Sequence, residues 1–294
     1  MSNPLHAPFF ADRASWIETT VMENIRLARD TYRVRFACPE IARQITPGQF
    51  VMLRCAGVDD PLLGRPLALY DTVLSSGGEP LGLDIVYLVT GKFTRRVANS
   101  PAGQSLEVWG PLGNGFPPQT VEHLIMVAGG IGQTPFLALA AEHRGHKRYG
   151  QPKRGVPHPK KITFCYGARR ADYFAGLDDF RRLGIDIRLS TDDGSAGHHG
   201  FVTDVLRELL AEPDGSTAPS RQIVCCGPEP MMAAVAKIAQ DYQTPCQVSL
   251  ETPMTCGIGI CFTCVAKVSQ SDGGWDYKRT CVEGPIFAAE QIVW

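Results

Sequence analysis

No run of apolar residues in this 294-residue sequence approaches the roughly 18 that a membrane span needs, and no segment repeats. An excess of one charge is also missing. The 29 Lys and Arg against 30 Asp and Glu leave a net charge of −1, with no footprint for nucleic acid or an anionic membrane surface. The opening M-S-N-P-L-H-A-P-F-F-A-D-R lacks a basic start and an apolar middle, so no secretory leader is expected. Histidine is scarce, and the seven present show no metal-ligand spacing; His198-His199 sit among glycines and read as an exposed turn. What is left is 44% hydrophobic and 20% charged. That is the make-up of a globular protein large enough for two domains and a small third.

Cysteine, by contrast, is plentiful. Cys256, Cys261 and Cys264 stand at C-x4-C-x2-C spacing, and Cys281 follows after sixteen intervening residues. Four thiolates at this spacing suit a two-iron two-sulfur cluster of the plant-ferredoxin type. Gly257 and Gly259, lacking a Cβ, let the backbone curl over such a cluster and aim amide N–H groups at its sulfurs. The rival is a zinc knuckle, but only Cys261/Cys264 has the short C-x2-C form that zinc sites usually pair. Cys38, Cys55, Cys165 and Cys246 lie in apolar or strand-like runs and read as buried thiols. A cluster points to a reducing cytoplasm rather than to disulfides.

Residues 1–118 read as short strands broken by turns: Trp16–Met22, Tyr32–Phe36, Gln49–Arg54, Pro66–Val73, Leu83–Val89 and Ser105–Trp109. Six strands without a helical period predict an antiparallel β-barrel. Arg65-Pro66-Leu67-Ala68 offers an arginine for a phosphate and a strand backbone that can lie along a flat ring. Val86-Tyr87-Leu88 ends a strand, and in the turn beyond Phe93, Thr94 is a candidate helix cap or pyrophosphate ligand. Gly110–Phe116, G-P-L-G-N-G-F, is a tight linker or a place where backbone passes close to a ligand.

Across 119–248 strands and helices alternate, as in an α/β domain with a parallel sheet. Leu124–Ala128 is a continuous apolar run opening into Gly129-Gly130-Ile131-Gly132-Gln133-Thr134-Pro135, with Thr134 as the expected N-cap. Such a turn suits a dinucleotide pyrophosphate, although its spacing is not G-x-G-x-x-G. Further units are Ile162–Tyr166 with Leu177–Leu183, Ile185–Ser190 with Val202–Leu210, and Gln222–Cys226 with Pro230–Asp241. Asp192 and Asp193, and Cys226 and Gly227, lie just past strand ends, where open parallel sheets bind ligands. Two acids at a ribose favour NADH over NADPH; Arg169 and Arg170 argue the other way. The basic stretch Arg144–Lys161 reads as a solvated insertion. A small cluster domain is expected over 249–294.

R-P-L-A-L, G-P-L-G-N-G-F, V-A-G-G-I-G, T-D-D-G-S, C-G-P-E-P-M and C-G-I-G-I-C-F-T-C follow one another in one chain. From about Trp16 to Phe287 it resembles the ferredoxin-reductase superfamily, and within it the electron-transfer subunits of bacterial dihydroorotate dehydrogenase. The resemblance implies FAD in the barrel, NADH on the alternating domain, a 2Fe-2S cluster at the end, and a heterotetramer with an FMN-bearing catalytic subunit serving pyrimidine biosynthesis. It places Arg65 to Ala68 and Val86 to Leu88 at the flavin, with Phe93-Thr94 where the family has Gly-Thr. It makes Cys256, Cys261, Cys264 and Cys281 the iron ligands, and sets the nicotinamide near Cys226. Ala68, Leu88 and Phe93 depart from the usual Ser or Thr, Arg and Gly. The departures keep open a related reductase module serving a different redox partner, ferredoxin-linked or sulfur-reducing; a flavin-free docking protein is a third expectation. Only seven residues follow Phe287, so the sequence offers no further catalytic domain there.

Overall fold

The computed structural model describes residues 11–212 and 220–294, so the first ten residues of the leader reading lie outside the described residues. Seven strands form the first sheet: β1 (Ser15–Ala28), β2 (Thr31–Ala37), β3 (Phe50–Cys55), β4 (Arg65–Ala68), β5 (Asp71–Leu74), β6 (Pro80–Leu88) and β7 (Ser105–Leu112). Their order is β4-β3-β7-β1-β2-β6-β5, every pair antiparallel. In β2, Tyr32, Val34 and Phe36 turn toward the barrel core while Arg33 and Arg35 face outward, the alternation of a half-buried strand. The stretch read as one strand, Pro66–Val73, is two. Leu69 N–H donates to Gln49 on the β3 side, and Tyr70 N–H donates to Asp84 on β6. The run thus crosses from one edge of the sheet to the other and curls it into a barrel, so the fourth and fifth strands share a corner. Two helices escaped the sequence reading, α1 (Pro39–Gln44) and α2 (Lys92–Ala98). At six and seven residues they are too short to display a period.

A second sheet holds β8 (His123–Gly129), β9 (Lys161–Ala168), β10 (Asp186–Thr191), β11 (His198–His199), β12 (Arg221–Cys226) and β13 (Cys246–Ser249), all parallel, in the order β11-β10-β9-β8-β12-β13. Around it lie α3 (Phe136–His143), α4 (Leu177–Arg182), α5 (Val202–Ala211) and α6 (Glu229–Asp241). The hairpin β14 (Val265–Ser269) and β15 (Trp275–Arg279) stands apart, and β16 (Ile286–Ala288) returns to pair antiparallel with β13. His198-His199 is therefore a short strand rather than a turn, and His198 is half-buried near Asp204 and Glu208.

Two local expectations are corrected. Thr134 is not an N-cap: a 3-10 turn over Gly130–Gln133 runs straight into α3, so Thr134 already has helical dihedrals. The basic insertion is not simply solvated either. Tyr149 is buried and donates to Asp71 Oδ1 at 2.7 Å, beside the Lys147 ammonium at 2.8 Å. Arg154 donates twice to buried Glu142 (2.9 and 2.7 Å) and once to the Phe116 carbonyl at 2.7 Å. Acids in the groove between the sheets need cations, and the insertion supplies them. Phe116 from the barrel side and Phe136 from α3 pack in one apolar core at 6.0 Å, joining the two halves.

Candidate functional site

The chain leaves β8 for β9 on one side, while β12 lies on the other. That reversal opens a crevice beyond the carboxyl ends of the two inner strands, the usual ligand position in such sheets. Gly129, Gly130, Gly132 and Thr134 follow β8; Cys226 and Gly227 close β12. Close packing requires most of these glycines. A Cβ on Gly132 would run into the Cys226 carbonyl, and one on Gly129 would come within 2.6 Å of Met231 Sδ. Gly227, at φ +157°, would press on the Gly129 backbone. Gly130, at φ +55°, has nothing within 4 Å of its missing Cβ, so the backbone there is open for a phosphate to approach. Burial, with Glu251 nearby, pushes the Cys226 thiol up to about 12, against a hydrogen bond with Ser249. The thiol thus stays neutral and is no general base.

At the end of β10, Asp192 and Asp193 behave differently. Asp193 accepts from Ser195 N at 3.0 Å and Oγ at 2.5 Å and lies 3.8 Å from Arg170. Those bonds hold its carboxyl below the usual range. It shapes the turn. Asp192 is exposed and is held through its backbone N–H to Ala168.

On the barrel, Arg65–Ala68 forms the terminal strand of the order, paired with β3 on one side. Arg65 is exposed and donates only to its neighbours' carbonyls at Leu63 and Gly64, which leaves its charge available to an anion. Pro66, Leu67 and Ala68 are half-buried, consistent with a backbone along which a flat ring can lie. Leu88 is half-buried too, but its neighbours turn away. Tyr87 stacks on Tyr32 inside the barrel and reaches Asn24 at 3.2 Å, and Val86 packs between the sheets. Phe93 points its ring into the barrel core, so its bulk does not occupy the loop where the family's Gly stands. Thr94 Oγ1 accepts from Thr90 N and Gly91 N at 2.9 and 3.0 Å, closing the turn.

The four cysteines come together two by two. Among the four thiols Cys261 is influenced by Cys256 and Cys264 most by Cys281, with Cys256 also acting on Cys281. Among the described residues no three or more His, Cys, Asp or Glu converge on a single ion. Two thiol pairs fit two irons sharing sulfides better than one tetrahedral zinc. Contact with Cys281 draws the Cys264 thiol down to about 6 while Cys281 is pushed up. At Cys261, burial acts upward, yet bonds with Thr263 and Cys256 bring the thiol down to about 6. The Ile258 N–H donates to Cys256 Sγ at 3.4 Å. Gly257, at φ +73°, lies where a Cβ would meet Met52, so the loop sits directly on the barrel.

Two residues here went unassigned in the sequence. Trp109 donates its indole N–H to the Cys256 carbonyl at 2.9 Å, tying β7 to the cysteine loop. Arg279, two residues before Cys281, donates to the Gly259 carbonyl at 3.0 Å. A single Trp or Arg carries no spacing signal; the contact exists only in three dimensions.

Comparison with known proteins gives three family matches. Residues 18–116 match an oxidoreductase FAD-binding domain, 126–237 an oxidoreductase NAD-binding domain, and 251–293 the iron-sulfur cluster binding domain of dihydroorotate dehydrogenase B. The electron transfer subunit of dihydroorotate dehydrogenase B (NAD(+)) from Caldanaerobacter subterraneus is 32% identical over 277 residues, covering 94% of this chain and 98% of that one. Its counterpart from Fusobacterium nucleatum is 33% identical over 279 residues, covering 94% and 97%. Among solved structures, a chain of the NADH-dependent reduced ferredoxin-NADP oxidoreductase superposes with a TM-score of 0.75 at 27% identity, covering 94% of this chain and 90% of that one. No described helix is long and apolar enough to cross a membrane.

Proposed function

The chain belongs to the family of dihydroorotate dehydrogenase B electron transfer subunits, and on that footing we propose that it passes electrons between NADH and a dihydroorotate-oxidising catalytic subunit by way of FAD and a 2Fe-2S cluster. The observation that carries the reading is the pairing of Cys256 with Cys261 and of Cys264 with Cys281, on a loop that sits against the FAD-binding barrel. When bound, the nicotinamide and flavin supply two-electron hydride chemistry and the cluster supplies single-electron transfer.

The chain's own residues supply position. Arg65 offers its guanidinium to a flavin phosphate, and the Pro66–Ala68 backbone lies along the ring. Gly129, Gly130, Gly132, Thr134 and Gly227 shape the nucleotide crevice, with Cys226 as an uncharged neighbour of the nicotinamide. Asp192 faces the ribose, while Asp193 holds the turn. No side chain is needed as general acid or base at the nicotinamide. We place the protein in the cytoplasm, where the six cysteines outside the cluster set would stay reduced, as a heterotetramer with an FMN-bearing partner.

The purified chain should show flavin and cluster absorption and reduce an artificial dye with NADH. Dihydroorotate oxidation should begin only on adding the catalytic subunit, and substantial orotate formation by this chain alone would overturn the reading. The likeness to a ferredoxin-NADP oxidoreductase chain favours one rival, the same module serving a ferredoxin-type partner. Failure of the catalytic subunit to bind or exchange electrons, with ferredoxin accepting them instead, would put that rival first.

A further inference from the structure

Arg279 occupies a place that the cysteine motif does not explain. Its side chain is only 11% exposed, and Nη1 donates to the Gly259 carbonyl inside the Cys256–Cys264 loop at 3.0 Å. The guanidinium also lies 5.1 Å from the centre of the Phe262 ring. Phe262 has a φ of +55°, unusual for a bulky residue, so the loop tip is held in a backbone shape it would not choose alone. Gly259, at φ +83°, packs over Val282 and turns its own N–H toward Cys281.

One carboxylate balances this charge. Glu283 accepts from Arg279 N at 2.8 Å and Nε at 3.3 Å, and lies 3.7 Å from Lys278. Lys278 also lies 3.8 Å from Asp276, so two cations face two acids, and Arg279 is the least exposed of the four.

We propose that Arg279, opposed by Glu283, sets the reduction potential of the cluster held by Cys256, Cys261, Cys264 and Cys281. The inference rests on the cluster assignment made above. One electron entering a cluster of four thiolates adds a unit of negative charge between the buried Cys264 and Cys281 and the more exposed Cys256 and Cys261. A fixed cation stabilises the reduced form more than the oxidised form, and a fixed anion does the reverse. Arg279 is thus a positioning residue for the loop and a source of field; it is not a ligand.

The test is a redox titration of the cluster in the wild-type chain, R279Q, R279K and E283Q, followed by visible absorption and electron paramagnetic resonance. R279Q should shift the potential downward and E283Q upward, while R279K, which keeps the charge, should stay nearer the wild type than R279Q. A role confined to bracing the loop would not produce opposite signs from two neighbours. Equal potentials throughout, or shifts of one sign in R279Q and E283Q, would overturn the inference with the cluster assignment intact. Lack of a cluster in the wild type would instead defeat the assignment. Should R279Q not retain its cluster, E283Q decides: a rise supports the proposal, and no change or a fall defeats it.

Discussion

Cys246 and Cys264 are both buried thiols, yet their neighbours set them apart. Cys246 sits in β13 among aliphatic side chains, and burial raises its thiol to about 12. Cys264 has another cysteine within reach and is lowered to about 6. Changing Cys264→Ser should bleach the cluster's visible bands, whereas Cys246→Ser should leave them and cost only stability, about 1–3 kcal/mol for a buried hydroxyl. Absorption spectra of the two purified variants make the comparison; equal loss would sink the ligand assignment. Asp192 invites a second test. With Asp193 engaged by Ser195, Asp192 is the acid we propose to oppose a 2′-phosphate. Two like charges about 4 Å apart and fully exposed to water repel by about 1 kcal/mol. Asp192→Asn should therefore narrow the NADH-over-NADPH ratio in kcat/KM about fivefold. A wild-type preference for NADPH would implicate Arg169 and Arg170 instead.

Strand β8 begins at His123, buried with its Nε2 against Thr163 Oγ1 at 2.9 Å. Burial first, then Lys161 and Arg221, lowers its pKa from 6.5 to about 4. A group depressed in the folded state supports folding above its unfolded value and withdraws that support as pH falls toward the folded one. Stability should thus drop by about 2–3 kcal/mol between pH 6.5 and pH 4 on this account. His123→Gln should flatten that limb in urea unfolding at the two pH values. At this scale the sequence was readable wherever an element carries its own pattern. The apolar run of β8, the amphipathic α5 and the cysteine spacing all declare themselves locally. By contrast, β16 has three residues and becomes a strand only beside β13. The corner at Leu69–Tyr70 looks like continuous strand until its hydrogen bonds are seen to change partners. Tyr149 and Arg154 looked solvated because the acids they meet, Asp71 and Glu142, lie 78 and 12 residues away in the chain.

Hydride transfer between a nucleotide on one sheet and a flavin on the other depends on how the two halves are held together. The grip sits just beyond the Arg65–Ala68 segment. Tyr70, almost fully buried, donates its hydroxyl to Asp179 on α4 at 2.6 Å, and burial keeps that phenol protonated. Asp71, the next residue, takes Lys147 and Tyr149 from the insertion. On the proposed placement of flavin and nucleotide, a shift in either bond would move the Arg65–Ala68 strand relative to the crevice, and reacting atoms need to lie within about 3–3.5 Å in good alignment. Tyr70→Phe keeps the ring and its packing but removes a hydrogen bond to a charged group, about 1.5–3 kcal/mol. Asp179 retains Arg182, so the acid is not stranded. We therefore expect Tyr70→Phe to slow flavin reduction by NADH in stopped-flow measurements, with FAD content and NADH affinity nearly unchanged. A second variant, Tyr149→Phe, should act in the same direction through Asp71. If both variants lowered the melting temperature while leaving the reduction rate untouched, the corner would serve folding alone, and the link from domain contact to electron transfer would be broken.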